Sequence, residues 1–347
     1  MIFPSLKKTD ISEFLKLAES IPLIDVRTPS EYRSGHIPGA FNIPLFNDRE
    51  RETVGISYKK EGRTRAIVKG IELSGPEMHS KLKEALGIAR EGKLLLYCWR
   101  GGMRSEAMAW LFSLGDLDIR VLEKGYKNYR NHILDSLSQK KRTIILGGMT
   151  GSSKTHILRY LKDHGRQVID LEGIANHKGS AFGSLGQPPQ PSSEHFANLL
   201  FAEWDKLNPT LPLWMEDESQ NIGTVFLPAA FYNNMQGSPA IILLMSIEKR
   251  LPRLIEEYSN YPPEMLKDSV QRISRRLGGD STQDAINAID TGDFSKAVGI
   301  TLRYYDKAYR YAIRRKPAGK LIYIETDSDD IEYNALKVLE ASGKIAW

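Results

Sequence analysis

Short apolar runs alternate with longer stretches of mixed polarity through the first 140 residues of the chain. Apolar runs of this length predict buried strands, and stretches whose apolar residues recur every three or four positions predict helices. Three strands and two helices follow: strands at residues 21–26, 93–97 and 119–122, and helices at residues 75–86 and 105–114. Such alternation is typical of a parallel sheet covered by helices. A polar, basic helix at about residues 126–140 ends the pattern, so we place a domain boundary between residues 138 and 139.

The same alternation begins again in the second half of the chain. It predicts one amphipathic helix and five strands: the helix at residues 154–164, and strands at 142–146, 167–171, 211–215, 240–246 and 321–325. Residues 172–195 form a long polar stretch rich in glycine and proline, and a loop of this length is typical of a functional lid or of a disordered segment. The chain is therefore predicted to be an α/β protein with domains at 1–138 and 139–347. The second carries a basic helical region at about 250–316.

Composition narrows the class of protein. No apolar run approaches the roughly 20 residues that a membrane helix needs, and the lysines near the N-terminus are not followed by the apolar stretch of a secretory signal. A single cysteine excludes an internal disulfide framework and a cysteine-rich zinc site. The net charge of +5 does not by itself separate a nucleic-acid-binding protein from other enzymes. We expect a cytoplasmic protein without membrane association.

That cysteine, Cys98, directly follows the predicted strand at residues 93–97 and opens a loop after which a helix is predicted. The loop consists of Trp99, Arg100, Gly101, Gly102, Met103 and Arg104. Two glycines let the backbone curl so that its N–H groups point inward, and the helix N-terminus and two arginines add positive charge. Such surroundings bind oxyanions and favour the thiolate. We predict that Cys98 is catalytic; the alternative is a buried structural cysteine.

The sequence around this loop resembles the rhodanese superfamily over roughly residues 5–130. The matching segments are Ile24-Asp25-Val26-Arg27, Glu31-Tyr32, Gly35-His36-Ile37-Pro38-Gly39-Ala40-Phe41-Asn42-Ile43-Pro44 and Gly125-Tyr126. The resemblance implies a rhodanese-like domain in which Asp25 and Arg27 are structural. It also implies that the cysteine carries a persulfide or attacks an anion. The spacing from Cys98 to Arg104 is one residue longer than in simple sulfurtransferases and resembles that of rhodanese-like phosphatases. It implies a phosphate-like or selenophosphate-like anion.

A second glycine-rich segment follows a predicted strand and opens a predicted helix, which is the context of a P-loop. It consists of Gly148, Met149, Thr150, Gly151, Ser152, Ser153, Lys154 and Thr155. The backbone N–H groups and Lys154 would bind a diphosphate or triphosphate, and Thr155 would hold a Mg²⁺. Ser153 stands where a P-loop normally has glycine, so the shape of the loop depends on what conformation this serine adopts.

Carboxylates follow two strands of the second domain. Glu216, Asp217 and Glu218 stand where P-loop folds place a carboxylate for Mg²⁺ or for positioning, and a solvated acidic turn is the alternative. Asp170 and Glu172 also follow a strand, and either could instead cap a helix.

Two groups of basic residues have the spacing of a helix face. The first is Arg272, Arg275 and Arg276, and the second is Arg303, Lys307, Arg310 and Arg314, which alternates with tyrosines. Basic faces with aromatic residues suit phosphate contacts and base stacking in a single-stranded RNA loop. Solvated helix faces with the tyrosines packed inward are an equally good interpretation.

Along its whole length the chain resembles the bacterial tRNA 2-selenouridine synthases. The segments that carry this resemblance in the second half are Asp170-Leu171-Glu172-Gly173, Ala175-Asn176-His177, Gly179-Ser180-Ala181-Phe182-Gly183, Glu216-Asp217-Glu218-Ser219 and Ile222-Gly223. The resemblance implies an enzyme that replaces the sulfur of wobble-position 2-thiouridine in a tRNA anticodon loop by selenium. Geranyl diphosphate would first alkylate the sulfur, and selenophosphate would then supply selenium. No tightly bound cofactor is implied beyond a possible Mg²⁺, and the enzyme that makes selenophosphate is a candidate partner.

Two other functions remain open from the sequence. A rhodanese-type sulfurtransferase or phosphatase with an accessory nucleotide-binding domain would use Cys98 but gives the P-loop no role in the reaction. A kinase or switch driven by ATP or GTP would use the P-loop but gives Cys98 no role.

Overall fold

The computed structural model of the protein describes residues 7–345. The predictions for residues 1–6 and 346–347, including part of the segment searched for a secretory signal, lie outside the described residues. The chain divides into two compact units, Met1–Ser136 and Leu137–Trp347, called here the first and second units. None of the helices in residues 7–345 combines the length and the apolar character needed to span a bilayer.

The first unit is built on a parallel five-stranded sheet in the order β1-β5-β4-β2-β3. Its strands are β1 (Lys7–Thr9), β2 (Leu23–Asp25), β3 (Phe41–Asn42), β4 (Lys93–Tyr97) and β5 (Asp118–Leu122). The central strand β4 is buried from Leu94 to its end because helices cover both faces of the sheet. The parallel sheet that the sequence predicts for this half of the chain is confirmed.

Seven helices accompany this sheet in the described part of the first unit. They are α1 (Ile11–Ala18), α2 (Pro29–Ser34), α3 (Asp48–Glu61), α4 (Arg63–Ser74), α5 (Met78–Ile88), α6 (Met103–Ser113) and α7 (Gly125–Leu137). The sequence does not predict α3 and α4, which are joined through Gly62. Among the residues of α3 only Ser57 is buried, and α4 buries the small residues Ala66, Gly70 and Ser74. Neither helix therefore has the apolar periodicity from which helices are predicted.

The second unit has its own parallel five-stranded sheet, in the order β12-β11-β6-β8-β7, with a small antiparallel hairpin of β9 and β10. The strands are β6 (Thr143–Gly148), β7 (Gln167–Ile169), β8 (Leu213–Glu216), β9 (Asn221–Ile222), β10 (Val225–Phe226), β11 (Ala240–Met245) and β12 (Leu321–Thr326). Every residue of the central strand β6 is buried, including the two glycines that end it.

The helices of the second unit fall into two groups. Those that accompany the sheet are α8 (Lys154–Asp163), α9 (Leu171–Ala175), α10 (Ser193–Trp204) and α11 (Ala229–Gln236), and α17 (Ile331–Ser342) joins them at the end of the chain. A helical cluster precedes β12: α12 (Ile247–Tyr258), α13 (Pro263–Arg272), α14 (Ser274–Leu277), α15 (Gly279–Asp290) and α16 (Phe294–Ile313).

The polar segment at residues 172–195 is more ordered than a loop prediction implies. It contains most of α9 at its start and the first turn of α10 at its end. Between them, Phe182 and Leu185 are buried in the apolar core of the helical cluster, beside Leu254 and Leu302. Two apolar side chains thus fix a segment whose other residues are mostly polar or glycine.

Candidate functional site

The residue that follows β4 is Cys98, and the connection to α6 forms the Cys98 loop (residues 98–104). The thiol is buried: its Sγ lies 3.3 Å from the Oγ of Ser105 and 3.9 Å from the carbonyl oxygen of Gly102. The N–H of Tyr126 donates to the carbonyl of Cys98 at 2.8 Å, and the next residue along α7 donates to Trp99. The start of α7 therefore fixes the backbone on either side of the thiol.

Two glycines let the Cys98 loop contact the turn before α7. Gly101 and Gly125 have φ angles of +62° and +60°, in the left-handed region that favours glycine. A Cβ on Gly101 would lie 2.6 Å from the carbonyl oxygen of Leu122, and a Cβ on Gly125 would lie 2.5 Å from the nitrogen of Gly101. Backbone packs directly on backbone here, so larger residues would displace the loop.

The N–H groups of residues 100–104 donate to no protein acceptor in the described part of the chain. They stand at the N-terminus of α6, where the first N–H groups of a helix lack partners within the helix. Arg100 beside them is exposed. Free N–H groups with a helix N-terminus and a guanidinium form the donor set that an oxyanion accepts.

Arg104, predicted to contact the anion, is paired with a carboxylate. Its guanidinium makes a bidentate ion pair with Glu31, with N–O distances of 2.6 and 3.2 Å. Glu31 also accepts the N–H of Thr28 and so caps α2. Although burial alone would raise the pKa of Glu31, the hydrogen bonds and the charge of Arg104 lower it. Glu31 therefore orients Arg104 at the start of α6 and partly offsets its charge.

Asp25 and Arg27 form a buried support beside the loop. The Nη2 of Arg27 lies 2.7 Å from Asp25 and donates to the carbonyl of Gly35 at 2.6 Å. Its guanidinium stacks 3.8 Å from the ring centroid of Tyr126, the residue that binds the carbonyl of Cys98. Both charged groups are buried and paired, which agrees with the structural role that the resemblance implies.

In the second unit, the P-loop (residues 148–155) connects β6 with α8. Ser153 has φ +66° and ψ +19°, a left-handed conformation. The serine thus adopts a backbone conformation that favours glycine. Gly151 has φ +83°, and a Cβ on it would lie 2.8 Å from Leu254. The loop is therefore tightly packed against α12 although a serine stands where a P-loop normally has glycine.

Polar groups of the P-loop fit a phosphate. The hydroxyls of Ser152 and Ser153 are buried and have no hydrogen-bond partner in the described part of the chain. The ammonium of Lys154 donates to the carbonyl of Gly148 at 2.9 Å, within the loop. Buried hydroxyls normally have partners, so two without one beside an ammonium and a helix N-terminus indicate a site for phosphate oxygens.

Replacing Ser153 by glycine is expected to stabilise the second unit by about 1 kcal/mol, because glycine removes left-handed strain at a smaller cost in chain entropy. Thermal unfolding of the full chain would show this as a rise in melting temperature of about 2–4 °C. Ser152→Gly is the matched control, since Ser152 has no positive φ and its replacement should only destabilise. If the Ser153→Gly protein melted at a lower temperature than the parent, the prediction that the backbone of Ser153 is strained would be wrong.

The acidic residues of the second unit divide by their contacts. Asp170 caps α9 by accepting the N–H of Gly173, which confirms the capping alternative. Glu216 is fully buried and accepts the N–H of Leu171 at 3.1 Å. Asp217 pairs with Lys316 and accepts the hydroxyl of Tyr309. The alternative of a solvated acidic turn is therefore wrong for Glu216 and Asp217, whose side chains are buried and hydrogen-bonded.

Glu172 and Glu218 face the P-loop. The hydroxyl of Thr155 donates to Glu172 at 3.0 Å, and the carboxyl group of Glu218 lies beside that of Glu172. A Cβ on Gly179 would lie within 2.8 Å of both, so the backbone of the polar segment closes over them. Burial raises the pKa of each carboxyl group, while the charge of Lys154 opposes the rise. The hydroxyl of Thr155 and the carboxylate oxygens of Glu172 and Glu218, next to a phosphate site, are oxygen ligands of the kind that bind Mg²⁺.

Burial also raises the pKa of Glu216 well above its ordinary value, and the charges of Asp170 and Glu172 raise it further. The pKa of Glu216 is therefore higher in the folded than in the unfolded protein. Its contribution to the free energy of unfolding is complete below the unfolded pKa and is lost as the pH rises through the folded pKa. Glu216→Gln keeps an acceptor for Leu171 and does not titrate. Urea unfolding between pH 5 and 9 should show the free energy of unfolding of the parent falling more steeply with rising pH than that of this variant. Parallel pH profiles would contradict the prediction.

The first basic group does not share one helix, so that prediction is wrong. Arg272 ends α13, whereas Arg275 and Arg276 lie on α14. Between them, Ile273 leaves helical geometry at φ −101° and ψ 4° and is buried. Burial of this apolar side chain turns the chain, and Arg272 then donates to Ser184 of the polar segment at 3.2 Å.

The second basic group does share a surface. We call it the basic face of α16, and it borders a depression of about 380 Å³ lined by Arg303, Lys307, Arg310, Arg314, Asp306 and Tyr311. Tyr311 is 65% exposed. Two other tyrosines turn inward: the hydroxyl of Tyr305 accepts the N–H of Ala181, and that of Tyr309 accepts the N–H of Gly148. Of the two interpretations, base stacking therefore fits the exposed Tyr311, whereas inward packing holds for Tyr305 and Tyr309.

A buried ion pair that sequence reasoning missed joins α16 to the P-loop. Arg250 donates to the carbonyl of Thr150 at 3.0 Å and pairs with Asp306 at 2.9 and 2.6 Å. Glu31 and Ser105, which contact Arg104 and Cys98, were also not predicted as site residues. No local signal marks the Arg250 contacts, because its partners lie 56 and 100 residues away in the sequence.

Comparison with known proteins relates both units to described families. The model for the AAA domain of tRNA 2-selenouridine synthase matches residues 141–338, and the model for the rhodanese-like domain matches residues 10–132. A protein of Shewanella frigidimarina named tRNA 2-selenouridine synthase is 36% identical over 340 residues, covering 86% of this chain and 90% of its own. A protein of the same name from a Sulfurovum species is 34% identical over 338 residues, covering 87% and 91%. The fold class predicted from sequence, a rhodanese-like α/β domain followed by a P-loop-like α/β domain, is confirmed.

Proposed function

The chain belongs to the tRNA 2-selenouridine synthase family, and on that premise we propose that it replaces the sulfur of 2-thiouridine by selenium in two steps, each assigned to one unit. The presence of two separate anion-binding loops in one chain carries this division. The P-loop offers two unpartnered hydroxyls and Lys154, and the Cys98 loop offers free N–H groups beside a thiol. Neither a simple sulfurtransferase nor a nucleotide switch uses both loops.

The first step is alkylation in the second unit, with geranyl diphosphate as donor. The sulfur of 2-thiouridine attacks the first carbon of the geranyl group, a C–S bond forms, and the C–O bond to the diphosphate breaks. The diphosphate leaves with the bonding electrons, and the base loses its N3 proton to solvent. Lys154 and the hydroxyls of Ser152 and Ser153 stabilise the charge that develops on the leaving diphosphate.

Thr155, Glu172 and Glu218 would hold a Mg²⁺ beside this diphosphate, and the ion would supply further positive charge to it. The binding of a leaving diphosphate does not require nucleotide hydrolysis.

The second step is selenium transfer, which we assign to the Cys98 loop. A thiocarbonyl sulfur is a poor leaving group, whereas an alkylated sulfur leaves as a thiol. Selenium from selenophosphate bonds to C2 of the base, the C2–S bond breaks, geranylthiol departs with a proton, and N3 of the base takes back a proton from solvent. The Sγ of Cys98 takes the phosphoryl group, so an S–P bond forms as the Se–P bond breaks, and water then cleaves the S–P bond and releases phosphate. The N–H groups of the loop and Arg100 hold the phosphoryl oxygens while Cys98 accepts the phosphoryl group.

The reaction is tested directly with a purified tRNA that carries 2-thiouridine. With geranyl diphosphate alone, mass spectrometry of the nucleosides should show S-geranyl-2-thiouridine. Subsequent addition of selenophosphate should convert it to 2-selenouridine with release of geranylthiol. Selenouridine formed at the same rate without geranyl diphosphate would refute the two-step order, and release of phosphate from a phosphopeptide instead would favour the phosphatase alternative.

The tRNA backbone is proposed to lie on the basic face of α16. Replacing Arg303, Lys307 and Arg310 together by alanine should weaken tRNA binding. The slope of log affinity against log salt concentration should also become shallower by about 2–3. Each phosphate contact releases counterions when the tRNA binds, so fewer are released when three contacts are lost. The control replaces Lys162, Arg166 and Lys206, three exposed basic residues outside α16, and should leave the slope unchanged. An equal slope in both triple variants would remove this face from the tRNA-binding surface.

A further inference from the structure

The first unit contains a cavity that the two proposed steps leave without a role. Its volume is about 1090 Å³, slightly above the usual range for small-molecule sites. It lies between the α3–α4 pair and α6, and we call it the α3–α4 cavity. Its wall includes apolar side chains from all three helices and from the segment after β3: Leu45, Phe46, Val54, Ile67, Met108 and Leu111.

The cavity begins where the Cys98 loop ends. Met103 and Arg104, the last residues of that loop, line the cavity together with Glu31, the partner of Arg104. Met103 is 50% exposed, although it is apolar. Inside, Met108 of α6 belongs to the same buried cluster as Cys98. The last two residues of the Cys98 loop therefore form part of the cavity wall, next to the proposed selenium-transfer site.

Apolar side chains at the cavity are open to solvent to an unusual degree. Ile56 of α3, Ile71 of α4 and Trp110 of α6 are 47%, 61% and 46% exposed, and each lines the cavity. Single exposed apolar residues are common in soluble proteins, but a contiguous set around a concave surface indicates a binding site for an apolar group. The charged residues among the lining are of both signs, such as Arg51 and Asp48, so the lining carries no single-sign field that would select a small anion.

We propose that the α3–α4 cavity binds the geranyl chain of the S-alkylated base and so places C2 of that base at the Cys98 loop. This inference rests on the proposed two-step function and names the group that the second step recognises. A flexible hydrocarbon chain fits an apolar cavity that opens at the loop, because the chain is attached to the very sulfur that must depart there. Burial of the chain would distinguish alkylated tRNA from tRNA that has not yet been activated.

The consequence is an order of binding. Unalkylated 2-thiouridine has no group for the cavity and would bind the first unit weakly, whereas the geranylated base gains apolar burial. After the transfer, the geranyl group is no longer attached to the base, so the selenated tRNA loses this contact and dissociates more readily. The cavity thus makes the second unit's product the preferred substrate of the first unit.

The test measures the affinity of the full-length protein for anticodon stem-loops that carry S-geranyl-2-thiouridine or S-methyl-2-thiouridine. The parent protein should bind the geranylated stem-loop at least about tenfold more tightly. Ala107→Trp fills the cavity from an exposed position of α6 and should abolish that preference while leaving the affinity for the methylated stem-loop unchanged. The control Leu114→Trp, at an exposed residue just after α6 and outside the lining, should retain it.

Equal affinities in the parent, or a preference that survives Ala107→Trp, would overturn the proposal. A change in sedimentation of the Ala107→Trp protein, with the geranyl preference intact, would identify a second copy of the chain as the occupant and would overturn it too. The proposed function fails differently: the geranylated stem-loop would be bound with the expected preference but would never be converted when selenophosphate is added.

Discussion

A Cys98→Ser protein is expected to geranylate 2-thiouridine at the parent's rate and to lose selenium transfer by roughly a thousandfold. The reason is that Sγ is the reactive atom of the loop in the first unit, whereas the P-loop residues of the second unit keep all their contacts. Serine is nearly isosteric and can still accept or donate toward Ser105 at the position of the thiol. The measurement is single-turnover conversion of pre-geranylated tRNA, with S-geranyl-2-thiouridine and 2-selenouridine quantified by mass spectrometry.

Ser105→Ala serves as the control for this variant. It removes the hydroxyl 3.3 Å from Sγ but leaves the thiol, so a much smaller loss of selenium transfer is expected. A Cys98→Ser protein that loses both steps equally would contradict the separate assignment of the two steps, and one that loses neither would reduce Cys98 to a structural residue.

Lys154→Ala should have the opposite effect. We expect geranylation to fall by about 10²–10³-fold, because the ammonium is the only full positive charge that the P-loop sequence supplies to the leaving diphosphate. Selenium transfer to a tRNA that is already geranylated should stay within about twofold of the parent rate, since the Cys98 loop is unchanged. Rates of both steps are measured separately, with geranyl diphosphate in the first and pre-geranylated tRNA in the second.

The matched control for Lys154 is Lys162→Ala, which removes an exposed lysine from the last turn of the same helix and should change neither step. If Lys154→Ala slowed both steps to the same extent, the P-loop would act in the whole reaction and the assignment of alkylation to the second unit would be wrong.

Both loops could be located from sequence because each follows a short buried strand and precedes a helix. β4 and β6 are continuous apolar runs that end in glycine-containing turns, and this local pattern fixes the position of Cys98 and of Lys154 without tertiary information. The conformation of Ser153 could not be predicted, because serine rarely adopts a positive φ and only the packing of the whole loop imposes it.

The α3–α4 pair shows why the rest could not be predicted. α3 is highly charged and α4 buries only small residues, so their sequences resemble a polar linker more than two helices. The cavity they form with α6 was consequently missed. Likewise, spacing alone predicts one helix face for Arg272 and Arg275 because it assumes an unbroken helix, whereas the helix ends at Arg272 and Ile273 is buried between two helices.

The central claim is most directly tested by the tRNA nucleosides of cells that lack this protein and of the same cells complemented with the parent or the Cys98→Ser chain. We predict that 2-selenouridine and S-geranyl-2-thiouridine both disappear without the protein and both return with the parent. With Cys98→Ser, S-geranyl-2-thiouridine should accumulate while 2-selenouridine stays absent. An unchanged level of 2-selenouridine in cells without the protein would contradict the account.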